Sequence, residues 1–572
     1  MDRAVPQFKG FFDAYRGGAF EGWVWRPDAP EQPVTVEVYA NDVCLGEIEA
    51  SIFRPDLRAA GIGHGRFGFS LPFPIDLERS EPIRITVRVK NGPLLSGGET
   101  TIGRSEPVSE DDAAAFKAFV AAVLGQNNRR KSVAERSEPK TNFIVYCPTG
   151  LEARSDFLSV AEYDYGFVLN AFTALLERFG QVHRVDDPAR QVDVLHGAHL
   201  LRGEVSLFLS FAPPHRTTLG LRCPVIPVIA WQYPTIPSEV WDGERRHDWR
   251  WVLGQAGRAI TLSNLAARAI KAGLGADFPV ISLPTPIWDR QPQLHHLPVR
   301  SPTTPAKIKV DGFVCESRTV EFSAGMAAPR LPAPGELPDW VDLDGVVFTS
   351  VLSPADGRKN WPDLVTAFLA AFSDRPDATL VLKMVGDGPE LWWSDLFDRV
   401  GRMPAFACRL VIISAAMDDA DHGSLIAASH WVVNASTAEG LCLPLMEFMC
   451  SDRPAIAPVH TAMADYLDAA CALVVHSDEQ YCGWPHDFRM GMPATSHQVS
   501  WSSLRDAYVE AYRLVMEEPA RYQALGQAAG ARMEAFCSDA MVAERLSSFL
   551  GLGHLTTPPP QASALVIADA FA

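Results

Sequence analysis

The 572-residue chain is short of positive charge: 51 Lys and Arg stand against 69 Asp and Glu, for a net charge of −18. Phosphate backbones are held by clustered cations, so this balance excludes a nucleic acid as the main partner. It leaves room for a nucleoside diphosphate, which needs only one or two local cations. Long hydrophobic runs are also missing. Nothing reaches the roughly 18 apolar residues of a bilayer span, and the opening MDRAVPQFKGFF lacks the apolar stretch of a secretory signal. The ten cysteines, Cys147, Cys223, Cys442 and Cys450 among them, include no Cys-x-x-Cys pair. That argues against a zinc site or disulfide framework and for reduced thiols in the cytoplasm. What is present is ordinary for a globular protein, 47% hydrophobic and 21% charged. The length calls for about three or four domains.

Residues 1–105 alternate as strands, with Val34–Tyr39 and Ile83–Val89 the clearest, and Gly, Pro and Asp turns between them. Strands this short and frequent predict a small β-sandwich. Trp23 and Trp25 flank Val24 and are expected in its core. Residues 106–140 read as a short helix (111–124) and a polar linker. From 141 to 340 buried strands (Phe143–Tyr146, Val205–Phe211, Val225–Ala230, Ala259–Ser263) alternate with helices, of which Tyr165–Phe179 is one. Residues 288–340 form a Pro-rich interdomain segment with a hairpin at Ile308–Phe322. A second alternating block fills 341–500, helices follow over 501–552, and 553–572 is a frayed tail. Strand–helix alternation predicts an α/β fold of two doubly wound, Rossmann-like halves, with ligands at the carboxyl ends of the strands.

The most informative stretch is Asn434-Ala-Ser-Thr-Ala-Glu439-Gly-Leu-Cys-Leu-Pro444-Leu-Met-Glu447. Pro444 suits the first turn of a helix, so Glu447 belongs to that helix and Glu439 to the turn before it. Ser436, three residues ahead of Glu439, also allows a plain capping box there. A second stretch is Ser353-Pro-Ala-Asp-Gly-Arg358-Lys359-Asn360-Trp-Pro362, a strand-to-helix turn. Free N–H groups and a dipole end make such a turn a place for phosphate, and Arg358 and Lys359 add charge. Lys383-Met-Val-Gly386-Asp-Gly-Pro is a third turn, where glycine permits close approach to a nucleotide.

Glu-x7-Glu in the context E-G-x-x-x-P-x-x-E resembles the family-4 group of GT-B glycosyltransferases. The resemblance covers roughly residues 142–550, with its specific motifs confined to about 346–470. It implies a retaining, metal-independent transfer from a UDP- or GDP-linked sugar, with no other cofactor. Glu439 would contact donor-sugar hydroxyls and Glu447 the ribose. Lys359 would stabilise the departing diphosphate, as the family's Lys does at this place. Gly440, Leu441, Ser353, Lys383, Gly386, His460 and Thr461 would line the donor. Many relatives carry Gly-Arg about six residues before the Lys; here Val351-Leu-Ser353 stands there, and Arg358 is taken as the substitute. Relatives also carry paired glycines where this chain has Val459-His460-Thr461, although Asp465 keeps their acid. No Asp-x-Asp is expected to close a strand, which argues against a divalent ion on the diphosphate.

The first half would bind the acceptor, an oligosaccharide, polysaccharide or lipid-linked glycan. Its strand-end candidates are Gly150, His215, Trp231 and Tyr233. The N-terminal module looks like those appended to bacterial polysaccharide glycosyltransferases, and a lipid-linked acceptor would place the protein at the inner face of the plasma membrane. Two rivals stand beside this reading: a sugar-nucleotide epimerase of the same architecture, which needs acid/base groups in the first half, and a non-catalytic binding scaffold.

Overall fold

The computed structural model describes residues 8–16, 18–30, 32–73, 75, 82–103, 141–148, 163–202, 204–240, 243–290, 292–322, 340–385, 390–484 and 492–552. The expected helix and linker at 106–140, the tail at 553–572, and Gly150 and Gly386 fall outside them. The chain divides into two compact units, one of residues 1–146, 179–210 and 218–225, the other of 147–178, 211–217 and 226–572.

In the first unit the N-terminal strands form one continuous eight-stranded sheet. Its two antiparallel ribbons join at a single parallel register pair, Phe11 with Ser96. One core receives side chains from both ribbons, including Phe20, Val24 and Phe69 from one and Val36, Val38, Ile85 and Val87 from the other. The period of two decides the fate of the tryptophans. Val24 is fully buried, so Trp23 and Trp25 project from the opposite face and are only half-buried, which corrects the expectation that they fill the core. Trp25 packs instead on Phe67, with ring centroids 6.0 Å apart. The same unit holds three parallel strands, with Gly180–Arg184 and Val205–Phe211 each pairing to Thr141–Tyr146.

The second unit has a parallel trio of its own, Val225–Ile229, Ala259–Thr261 and Val280–Ser282. It also holds a seven-stranded sheet in which Val346–Leu352 is central, between Ala378–Met384 and Trp431–Val433. These strands are buried on both faces and mostly apolar, reading VVFTSVL and ATLVLKM, as parallel sheets covered by helices do. The α/β class expected from the alternation is the one observed.

Three differences from the sequence reading stand out here. The segment read as a hairpin at Ile308–Phe322 does not pair with itself: Ala306–Lys309 pairs with Trp340–Leu343, and Asp311–Glu316 lies antiparallel to Arg409–Ala416 as an edge strand. An Asp-x-Asp does close a strand, Asp342-Leu-Asp344 after Trp340. Asp344 accepts from Arg318 and Arg409, at 3.0 and 3.1 Å, so its carboxylate serves an ion-pair cluster. Finally, Ser477–Gly483 and Pro493–Val499 form an antiparallel ribbon that the sequence reading left inside the second block.

The C-terminal residues form three helices, Trp501–Glu517, Pro519–Cys537 and Asp539–Leu550. The last one returns to the start of this unit. Arg545 donates to the Ser282 carbonyl at 2.6 Å, and the Asp539 N–H donates to Asp289 at 2.7 Å.

Candidate active site

Strand Trp431–Val433 ends before Asn434, and helix Leu443–Cys450 begins with Pro444 in its first turn. No helix starts at Ser436, so the capping-box alternative is excluded. Glu439 instead sits in an irregular turn, with its side chain only 5% exposed. A carboxylate this buried must be paired, and one oxygen takes every visible donor: Lys359 Nζ at 2.7 Å, Ser436 Oγ at 2.7 Å and Asn434 Nδ2 at 3.2 Å. Burial opposes its charge, but the Lys359 and Arg358 fields outweigh burial and hold the carboxyl down to about 2.

The cations come from the neighbouring turn. Asp356 accepts from the Arg358 N–H at 3.1 Å and so opens a short 3₁₀ turn, Gly357–Lys359, after which Asn360 is left-handed. Arg358 is therefore already occupied. Its guanidinium forks onto Asp356 and donates to the Ala438 carbonyl at 3.2 Å, while its own carbonyl accepts from Thr437 N–H at 2.8 Å. Burial works against its charge, and the Asp356 and Glu439 carboxylates more than offset that. Arg358 thus locks the two turns together, and Lys359 is the cation delivered to Glu439. Ser353 is half-buried ahead of this turn, its carbonyl accepting from the Asp356 N–H at 3.2 Å.

Glu447 projects from the helix with 38% of its side chain exposed, and His422 Nε2 lies 3.3 Å from its carboxylate. Lys383 ends the neighbouring strand, where burial lowers its pKa against the field of Glu447. A basic side chain near the end of a strand and a carboxylate on a helix are thereby within each other's field.

Gly440 lies against the Trp231 backbone, the nearest atom a Cβ there would meet being 3.5 Å away. Leu441 is buried, and its carbonyl accepts from Tyr466 Oη at 2.8 Å. Trp231 and Tyr233 are buried in an aromatic cluster with Trp249 and Trp484, and Trp231 Nε1 donates to the Thr235 carbonyl at 2.7 Å. His215 stacks on Trp249 and accepts at Nδ1 from its indole at 3.3 Å; burial lowers its pKa to about 4. Asp465 has both oxygens on Asn264, at 2.7 and 3.1 Å, at the head of helix Asn264–Leu274.

The structure adds residues that the sequence reading passed over. Asn434 joins Ser436 in gripping Glu439, Asp356 holds Arg358, and His422 meets Glu447. Asp356, three residues before Lys359 at the head of a turn, carried a capping signal. His497 and Trp484, from the ribbon, carried none.

No protein-family model matches the chain, and no curated protein matches it. Solved structures that resemble it include a mutant of S. aureus TarM with fondaparinux, α-GlcNAc-glycerol and UDP. That likeness is at 11% identity and TM-score 0.37, over 60% of this chain and 55% of that one. The pneumococcal O-GlcNAc transferase GtfA with UDP and GlcNAc is similar at 12% identity and TM-score 0.37, over 63% and 59%. Sucrose-phosphate synthase from Thermosynechococcus elongatus is similar at 13% identity and TM-score 0.43, over 72% and 98%. The chain thus spans little more than half of TarM and GtfA. Likeness at this level does not assign an activity.

Proposed function

We propose that this chain is a retaining, metal-independent glycosyltransferase of the GT-B type, moving a sugar from a nucleotide diphosphate to a glycan or lipid-linked glycan acceptor. The observation that carries the reading is the pair of turns in which Lys359 Nζ meets buried Glu439 at 2.7 Å. Glu447 stands, partly exposed, on the helix that follows. The two acids are those of the E-G-x-x-x-P-x-x-E resemblance, and the cation stands where the family carries its diphosphate-binding Lys.

The chemistry follows from charge. As the bond from the anomeric carbon to the phosphate oxygen breaks, negative charge builds on the diphosphate, and a fixed cation stabilises that change. Lys359 supplies it, kept ionised and aimed by Glu439. The acceptor oxygen attacks the anomeric carbon on the face from which the diphosphate departs, and its proton leaves on the diphosphate. Configuration is retained. Glu447 would hold the ribose, with Lys383 behind it. The donor's charge is met by Lys359, so the reaction is assigned without a divalent ion. Such an enzyme would work in the cytoplasm, on its own or at the inner membrane face, in the making of bacterial surface polysaccharide.

Thermal shift with UDP, GDP and their sugars tests the reading, because a ligand that binds only the folded state raises its stability by about 2.7 kcal/mol at a hundredfold excess over Kd. A rise with one nucleotide, followed by release of that nucleotide from its sugar, is expected. No rise with any of them would overturn the assignment.

A further inference from the structure

The turn Val459–Asp465 lies directly after strand Ala455–Pro458 and contacts Glu439 through its backbone. Glu439 N–H donates to Thr461 Oγ at 3.0 Å, and the Glu439 carbonyl accepts from Ala462 N–H at 3.2 Å. The peptide unit on each side of Glu439 is therefore held by two consecutive residues. Thr461 does this from a left-handed backbone, φ +50°, a conformation that a β-branched residue avoids and that costs on the order of 1–3 kcal/mol. Among the described residues eight non-glycines have positive φ. Three of them, Asn360, Cys442 and Thr461, follow Lys359, follow Glu439's turn, or clamp it. Such strain persists only where the surroundings enforce it.

Behind Thr461 stands His460. It is 4% exposed, and its Nδ1 lies 3.2 Å from Thr461 Oγ. The Thr461 oxygen already accepts from Glu439, and its hydroxyl also shares a hydrogen bond with Nδ1. Burial keeps this ring neutral. His460 in turn stacks on His497, with centroids 4.3 Å apart and planes 14° apart. His497 belongs to the strand Pro493–Val499, and its own N–H donates at 2.8 Å to the carbonyl of Thr437, two residues before Glu439. The ribbon therefore braces the Glu439 turn directly through Thr437 and indirectly through His460.

We infer that Thr461, backed by His460 and His497, is a positioning device that sets the Glu439 carboxylate for the sugar, a role that rests on the proposed glycosyl transfer. Thr461 and His460 act through Glu439 rather than on the donor. Misplacing a reacting group by about 1 Å costs roughly a hundredfold in rate, so the hydroxyl's removal should be read in turnover.

The test uses the full chain with UDP-N-acetylglucosamine and UDP-glucose, following UDP release from whichever the wild type consumes faster. Thr461→Val, equal in shape but without the hydroxyl, should lower kcat by roughly 10- to 100-fold. Its affinity for UDP alone, which carries no sugar for Glu439 to read, should not fall, and a carboxylate displaced from Lys359 leaves that cation freer for the diphosphate. Thr461→Ser should restore most of the loss. His460→Leu should lower kcat, and His460→Asn, whose amide can keep a hydrogen bond to the Thr461 hydroxyl, should recover part of it. Equal kcat in the Val and Ser variants, or loss of kcat and UDP affinity together, would overturn the device and leave the glycosyltransferase reading standing. A wild type that releases no nucleotide from these donors or from GDP-linked sugars speaks against that reading instead. The device is then judged by a crystal structure of Thr461→Val, where a Glu439 carboxylate still 2.7 Å from Lys359 overturns it and a displaced one supports it.

Discussion

Removing Lys359 separates a structural ion pair from an adventitious contact. Its partner Glu439 has a side chain 5% exposed, against 19% for Lys359 itself, so Lys359→Met strands a carboxylate in a low-dielectric site. Breaking a buried pair from one side costs about 3–5 kcal/mol. Arg358, Ser436 and Asn434 still face Glu439, which points to the lower end, about 3 kcal/mol. The unit of residues 147–178, 211–217 and 226–572 has an unfolding entropy of about 2.1 cal/mol/K per residue, so that is a fall of roughly 3–4 °C in Tm. The pH dependence carries the sharper test. In the wild type the Glu439 pKa lies below its ordinary value, down to about 2. Its stabilisation is therefore complete above the ordinary carboxylate range and is lost only as pH falls toward 2. In Lys359→Met burial dominates and raises that pKa, so the variant's penalty is greatest at neutral pH and is relieved as Glu439 takes up a proton. The gap between wild type and variant should be widest near pH 7 and should close toward pH 5, measured by urea unfolding across that range. Adding Glu439→Gln to Lys359→Met should recover most of the stability at pH 7. A gap that does not change with pH, or a double variant no more stable than the single one, would refute the reasoning.

Glu447→Gln should weaken UDP binding by 10- to 100-fold in calorimetry, since a hydrogen bond to a charged group contributes about 1.5–3 kcal/mol; an unchanged Kd would remove Glu447 from the nucleotide site. Gly526→Ala places a Cβ 2.4 Å from the Asp452 carbonyl oxygen. It should therefore destabilise by about 1–2 kcal/mol in denaturant melts despite alanine's better helix propensity. Arg409→Met removes the 4% exposed centre of the cluster with Glu316 and Asp344. The two acids are partly exposed and can rehydrate, so the loss should be about 2 kcal/mol rather than that of a fully buried pair.

The parts of this fold that were legible are those where one local signal decides. Strand Ile83–Val89 alternates apolar and polar along its whole length and was read to the residue, as was Val205–Phe211, an apolar run with a Gly and Glu before it. The turn holding Glu439 was legible because Gly440 and Pro444 forbid one continuous helix between the two acids. Pairing was not legible. Asp311–Glu316 looked like half of a local hairpin, because its antiparallel partner lies 95 to 105 residues on, at Arg409–Ala416, and nothing local encodes that distance. The ribbon Ser477–Gly483 with Pro493–Val499 gave no strand signal, since SDEQYCG is mostly solvent-facing and has no apolar alternation. Trp23 and Trp25 were misplaced because alternation says which residues share a face and not which face is buried. Arg358 was recognised as a cation, but its commitment to Asp356 and to Ala438 depends on a contact between two turns 80 residues apart.

The Lys359–Glu439 pair also sets two functions against each other. Glu439 neutralises the cation that a diphosphate would seek, so donor binding must share Lys359 with a carboxylate 2.7 Å away. A unit charge about 4 Å off is worth on the order of 4 kcal/mol at an effective dielectric of 20, most of it offset by the phosphate's own hydration. Glu439→Gln keeps the shape and the acceptor oxygen but removes that competition. It should therefore bind UDP several-fold more tightly than the wild type while transferring sugar more slowly. Ordinary loss of a binding residue does the opposite to affinity. Calorimetry with UDP, beside single-turnover sugar transfer, reads both effects. If Glu439→Gln weakens UDP binding, Glu439 acts on the nucleotide itself and Lys359 is not the cation its diphosphate meets.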